Sequence, residues 1–255
     1  MSFEVPADAY DKFMGRYSVG LAAQLADLAG VAAGQRALDV GCGPGALTAE
    51  LVARLGPKAV AAVDPSASFV AAARTRHPGV AISQAAAEEL PFGDGELDAA
   101  LSQLVVHFMR DPVAGLREMA RVTRPGGAVA ASVWDLAGGR APISPFWRSA
   151  VALAPNARHE MAVAGGRRGH LEALFAEAGL EDVRGAEHQA VVEHPTFEDW
   201  WDPFTLGVGP AGSYLAGLDE ERQAAVRERC RAEVGDGPFS LPAFVWAVCG
   251  VSPGR

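Results

Sequence analysis

Lysine is nearly missing from this chain: Lys12 and Lys58 are the only two in 255 residues. Acidic residues outnumber basic ones, 31 against 22, leaving a net charge of −9. Nucleic-acid surfaces depend on clustered cations, so this balance argues against a nucleic-acid partner. The pair Arg167-Arg168 is too short to alter that and reads as an exposed loop. Cysteine is scarce too. Cys42, Cys230 and Cys249 are scattered and odd in number, which suggests neither a disulfide framework nor a zinc site, and no metal is expected. No run of about 18 uncharged apolar residues is present, nor a basic-then-apolar start, so the expectation is a cytoplasmic protein without a membrane partner.

What the chain does have is glycine, in a telling place. An apolar run (Ala37, Leu38, Val40) leads into Gly41, Gly43 and Gly45, then into a helical pattern from Ala46 to Leu55. Strand, glycine turn, helix brings bare backbone against a ligand in α/β folds. Asp39 is the odd residue, a carboxylate at the end of a strand expected to be buried. Burying it costs several kcal/mol unless a partner is supplied.

Strand and helix patterns then alternate. Strands are expected at about 37–40, 59–63, 80–84, 97–103 and 128–134, with helices at 46–55, 66–76 and 113–122 between them and a helix over 19–29 before. The last of these helices is expected to stop at Arg124-Pro-Gly-Gly127, where the chain reverses. The pattern predicts an α/β fold, a Rossmann-like doubly wound sheet that is mainly parallel. Beyond Ala137 the alternation breaks. A short helix is expected at 145–154, an amphipathic one at 169–178 closed by Gly179, and a long strand at 183–192. A helix capped by Thr196 follows, then one over 218–234 and a final strand at 242–251.

Gly41, Gly43 and Ala46 fit a dinucleotide loop, and Asp64 lies at the end of the second strand, where a carboxylate suits a ribose with two free hydroxyls. That pattern does not choose between nicotinamide and other adenosine cofactors. Three features do: Asp39 before the first glycine, Ala85-Ala-Ala-Glu-Glu-Leu-Pro-Phe92 after the third strand, and Val122-Thr-Arg-Pro-Gly-Gly127 before the fifth. With Leu38-Asp-Val-Gly-Cys-Gly-Pro-Gly45, Val63-Asp-Pro-Ser66 and Leu97-Asp-Ala-Ala-Leu-Ser102, the chain resembles the class I S-adenosylmethionine-dependent methyltransferases. Within them it is most similar to the methyltransferase type 11 group related to the ubiquinone and menaquinone C-methyltransferases.

The resemblance implies a seven-stranded sheet with an antiparallel C-terminal strand and helical cap insertions, in one domain. Its core would be about 30–136 and 166–194 plus 239–251, with an N-terminal lid at 1–29 and insertions at 137–165 and 195–238. It implies S-adenosyl-L-methionine as cofactor and places Gly41, Cys42 and Gly43 against its methionyl part and ribose. Asp39 would bind the ammonium, Asp64 the ribose hydroxyls, and Pro65, Ala87 and Glu88 would lie about the adenine. Gln103 would sit near the sulfonium, and Tyr10 and Arg16 of Tyr10-Asp-Lys-Phe-Met-Gly-Arg-Tyr17 would meet the cofactor carboxylate. The family often has an acidic residue at the position of Ala86, so adenine recognition here would pass to Glu88 or to backbone. Plainer roles stand beside these: Asp39 bridging backbone amides, Asp64 capping the next helix, Arg16 solvated, Cys42 a small packing residue.

Methyl transfer from a sulfonium needs alignment first, worth up to roughly 7–11 kcal/mol, and a base only where the nucleophile must lose a proton. His107, after the fourth strand, is the candidate base, or else a packing residue. Phe146, Trp147, Trp200, Trp201, Phe204 and Tyr214 could line an apolar pocket or form the insertions' own core. The expected function is methyl transfer to a small molecule, by a monomer or homodimer. A non-catalytic S-adenosylmethionine-binding protein and a nicotinamide-dependent oxidoreductase are the alternatives.

Overall fold

The computed structural model describes residues 7–155, 157 and 163–254. Seven strands form one sheet: β1 (Ala37–Val40), β2 (Val60–Asp64), β3 (Ala81–Gln84), β4 (Leu97–Gln103), β5 (Thr123–Trp134), β6 (Glu181–His194) and β7 (Phe239–Val251). Their order is β3-β2-β1-β4-β5-β7-β6. The first five run parallel, with Leu38 beside Ala61 on one flank and Ala100 on the other. β7 is antiparallel to both neighbours, β5 and β6. Every residue of β1 and β2 is buried, as expected of strands covered on both faces.

The chain opens with a short helix, α1 (Ala7–Tyr10), a π-helical turn (Asp11–Gly15) and α2 (Arg16–Leu28). The helix expected from residue 19 therefore starts earlier, joined to the turn before it. α2, α3 (Ala46–Leu55) and α4 (Ala67–Arg76) cover one face of the sheet, where Leu25, Leu47 and Leu51 pack on Ala99, Leu101 and Ala130. α5 (Pro112–Val122) and α7 (His170–Glu177) cover the other, through Leu116, Met119, Leu171 and Phe175. Between them in sequence lies α6 (Ser144–Leu153); α8 (Phe197–Thr205), α9 (Gly209–Ala216) and α10 (Glu220–Val234) follow β6. α9 was not expected from the sequence, because its glycines and alanines carry no apolar stripe. Thr196, Asp219 and Ser66 cap their helices by side-chain acceptance of the backbone N–H three residues on.

Arg124–Gly127 departs from expectation. It does not reverse the chain but forms an irregularity inside β5, across which the pairing with β4 jumps from Thr123 to Ala128. Gly127 packs so closely on the Asp98 carbonyl that an added Cβ would lie 2.6 Å from its oxygen. α6, α8, α9 and α10 share a separate apolar cluster with Trp134, Phe13 and Tyr17. Phe146, Trp147, Trp200, Trp201 and Phe204 are buried within it, so these aromatics are core. Phe146 and Phe204 stack with centroids 4.8 Å apart.

Candidate functional site

The chain runs outward from β1 to β2 and β3, then returns to place β4 on the other side of β1. The crevice at the carboxyl ends of β1 and β4 is thus the point where strand order reverses, the favoured binding position in open α/β sheets. The glycine loop leaves β1 there. Gly41 has φ +75°, and a Cβ on it would lie 2.5 Å from Val105 of the segment after β4. Gly43 has φ +53° and nothing within 4 Å of where a Cβ would stand, so its backbone faces open space.

Two carboxylates flank the loop. Asp39 is fully enclosed, and its Oδ2 accepts a 2.6 Å hydrogen bond from the Thr48 hydroxyl on α3. Burial pushes its pKa up to about 7, against the pull of Thr48 and with the Asp64 charge adding to the rise. Asp64 is also buried; its Oδ2 accepts from the Gly43 N–H at 2.9 Å and its Oδ1 from the Ser66 N–H at 2.8 Å. Burial raises its pKa as well, those two N–H groups opposing. The Asp64 carboxylate therefore ties the loop to the start of α4, with further lone pairs for a guest.

Other expected site residues are placed less uniformly. Tyr10 is half-buried against Phe69, and burial, then the Asp64, Asp11 and Asp39 charges, hold its hydroxyl pKa up to about 12. Gln103 is buried, donates from Nε2 to the Ser18 carbonyl at 2.8 Å, and leaves Oε1 without a partner. Cys42 is a buried thiol whose pKa burial drives upward. Pro65 is exposed. Ala87 packs in the core among Leu90 and Leu116, and Glu88 spends Oε1 on the N–H groups of Arg110 and Asp111, at 2.7 and 3.1 Å. Arg16 is engaged elsewhere: it donates to Asp199 at 2.6 Å and to the Glu193 carbonyl at 2.9 Å.

Beside the loop opens a narrow apolar cleft, lined by Tyr10, Phe13, Leu104, His107, Trp134 and Ile143 and by residues 208–211. None of the six insertion aromatics singled out from the sequence lines it. Leu104 holds φ +64°, a strained conformation for a non-glycine residue and one that accumulates at functional sites. The Nδ1 atom of His107 is enclosed without a partner, and burial lowers the ring's pKa to about 3. Sequence reasoning found Tyr10 and His107 but missed Phe13, Trp134 and the 208–211 segment. Phe13 lay within the Tyr10–Tyr17 motif but was given no role; Trp134 and residues 208–211 were marked only by position at a strand end and in an insertion.

Sequence reasoning also missed a buried relay. The Tyr17 hydroxyl donates to His194 Nε2 at 3.0 Å, and His194 Nδ1 donates to Asp199 Oδ2 at 2.8 Å. Burial lowers the His194 pKa, so the ring is neutral and fits those roles. Among the described residues there is no group of three or more histidine, cysteine, aspartate or glutamate side chains that could hold a metal ion.

Residues 38–131 match the methyltransferase domain family, a span that opens one residue before Asp39 and closes inside β5. Over this segment the chain is similar to methyltransferase domains. It is similar to the demethylmenaquinone methyltransferase of Beutenbergia cavernae, 41% identical over 101 residues, covering 40% of this chain and 41% of that one. It is similar also to the ubiquinone/menaquinone biosynthesis C-methyltransferase of Bdellovibrio bacteriovorus, 33% identical over 135 residues, covering 50% of this chain and 57% of that one. The matches thus span about half the length of these relatives, or less. The fold extends further than the sequence likeness. A Haemonchus contortus phosphoethanolamine N-methyltransferase solved with S-adenosyl-L-methionine superposes with a TM-score of 0.58 at 17% identity, over 97% of this chain and 57% of that one. Residues 7–28, helices α6 and α8 to α10 and most walls of the cleft lie outside the segment that matches the methyltransferase domain.

Proposed function

We propose that this chain binds S-adenosyl-L-methionine on the glycine loop and transfers its methyl group to a small-molecule acceptor. The observation that carries this reading is the loop itself, open at Gly43 and held between two buried carboxylates. An enclosed Asp39 with its pKa raised to about 7 suits a bound cation, and the methionine ammonium is one. Asp64 and the Gly43 backbone suit a ribose, and Tyr10 and Gln103, with its unpaired Oε1, suit the methionyl end. Gly41 and Gly43 allow the close approach; Arg16 and Glu88 are left to structural roles. When bound, the cofactor supplies an electrophilic methyl group on a sulfonium. The protein's part is to align the acceptor and exclude water. Residues 7–28 serve as the lid and α6, α8, α9 and α10 as the cap of one domain. Three buried thiols without a disulfide suit a reducing, cytoplasmic setting.

Calorimetric titration with S-adenosylhomocysteine tests the reading. Asp64→Ala should weaken that binding by roughly 1–3 kcal/mol through the loss of charge-assisted bonds. Tighter binding of a nicotinamide dinucleotide than of S-adenosylhomocysteine would sink the proposal.

A further inference from the structure

The walls of the apolar cleft are suited to an uncharged guest. Phe13 and Met14 come from the lid, Leu104 and His107 from the end of β4, Trp134 from the end of β5 and Ile143 from the approach to α6. No aspartate, glutamate, lysine or arginine is among its described lining residues. A charged acceptor entering it would shed water without gaining a counter-ion, at a cost of several kcal/mol. His107 supplies the polar end. Its Nδ1 atom is enclosed without a hydrogen-bond partner, and burial lowers the ring's pKa to about 3, so the imidazole is neutral at pH 7. An unpaired ring nitrogen in such a place is costly until a guest pairs with it. Tyr10 joins this cleft to the glycine loop, because it lines the one and lies within the field of Asp39 and Asp64 beside the other.

We propose that the methyl acceptor is an uncharged, largely apolar molecule bearing a hydroxyl or N–H group, seated in this cleft with that group hydrogen-bonded to His107. This rests on the methyltransferase reading above and adds to it a substrate class, excluding phosphorylated and carboxylated acceptors. Sites that hydrogen-bond a hydroxyl discriminate strongly against analogues that lack it, because the buried partner is then left unpaired.

The test uses the full chain saturated with S-adenosylhomocysteine and three probes at neutral pH: 2-naphthol, 2-methoxynaphthalene and 2-naphthoate. Naphthol should bind at least about tenfold more tightly than either analogue. His107→Leu should reduce naphthol to the level of the methoxy compound, and His107→Gln, which keeps a neutral hydrogen-bonding end, should recover part of the preference. Retained S-adenosylhomocysteine affinity shows that each variant is folded. Naphthoate binding as tightly as naphthol, a preference that survives His107→Leu, or no binding of any probe overturns the proposal. If S-adenosylhomocysteine itself fails to bind, the methyltransferase reading fails. The same probe series on the ligand-free protein then decides the cleft's preference separately.

Discussion

Asp39 shows how a single side chain links stability to binding. Its pKa in the folded protein, about 7, lies above the ordinary 3.8, so the native state holds a proton that the unfolded chain releases between those values. The stability that this proton contributes is present below that window and is lost as pH rises through it. Asp39→Asn removes the penalty. The ligand-free variant should match wild type below about pH 4 and gain on it as pH rises, exceeding it at pH 8 by roughly 1–3 kcal/mol, measured by thermal or denaturant unfolding. The same substitution should weaken S-adenosyl-L-methionine binding, since the cation then meets no charge. A variant less stable than wild type at pH 8 would show that Asp39 is a structural carboxylate. Asp39, Asp64 and the glycines were legible in the sequence because a polar or bare residue at the end of an apolar strand is costly without a purpose. Thr48 was not, since one helix threonine looks like any other until α3 is laid against β1.

Among the elements, the N-terminal helix shows what local pattern leaves open. α2 is fastened at several places: Gln103 holds the Ser18 carbonyl, Gln24 bonds the backbone of Gln189 on the edge strand β6, Arg54 and Arg184 reach the Ala23 and Leu28 carbonyls, and Arg16 and Tyr17 reach Asp199 and His194. The bonds to β6 also satisfy backbone groups that an edge strand would otherwise expose. Asp199→Ala leaves the buried His194 without its acceptor and Arg16 with only the Glu193 carbonyl. It should cost about 1–3 kcal/mol in unfolding experiments and speed amide exchange across α2. A change of only a few tenths would mean that the relay does not pin the helix. Arg16 reads from sequence as a clamp for an anion, and its acceptor proves to be Asp199, 183 residues away. Spacing along the chain carries no information about such a pair. The long aromatic residues of the insertions were equally ambiguous, because burial against one another and burial against a guest call for the same side chains.

For the whole molecule, the order of strands has a mechanical consequence. β7 is last in sequence but lies inside the sheet, paired on one side with β5 and on the other with β6. Truncation after Val234 should therefore abolish cooperative unfolding rather than trim an edge, and calorimetry of the shortened chain checks it. Retention of a sharp transition would show that β1 to β5 fold alone. The net charge of −9 also acts at this scale: duplex DNA at physiological salt should show no retardation by the protein in a gel-shift assay.

Strand and helix periodicity, the glycine turn and the two flanking carboxylates needed nothing beyond the chain itself, because each is a local demand of backbone geometry or of burying charge. They determine the sheet of β1 to β5 and the cofactor loop. The cleft needed the assembled molecule. Its walls come from residues 10–14, two strand ends and α9, segments far apart in sequence whose apolar side chains can pack in many ways until the sheet brings them together. That packing turned the insertion aromatics into core, gave Arg16 to Asp199, and left the Nδ1 atom of His107 on the cleft wall without a hydrogen-bond partner.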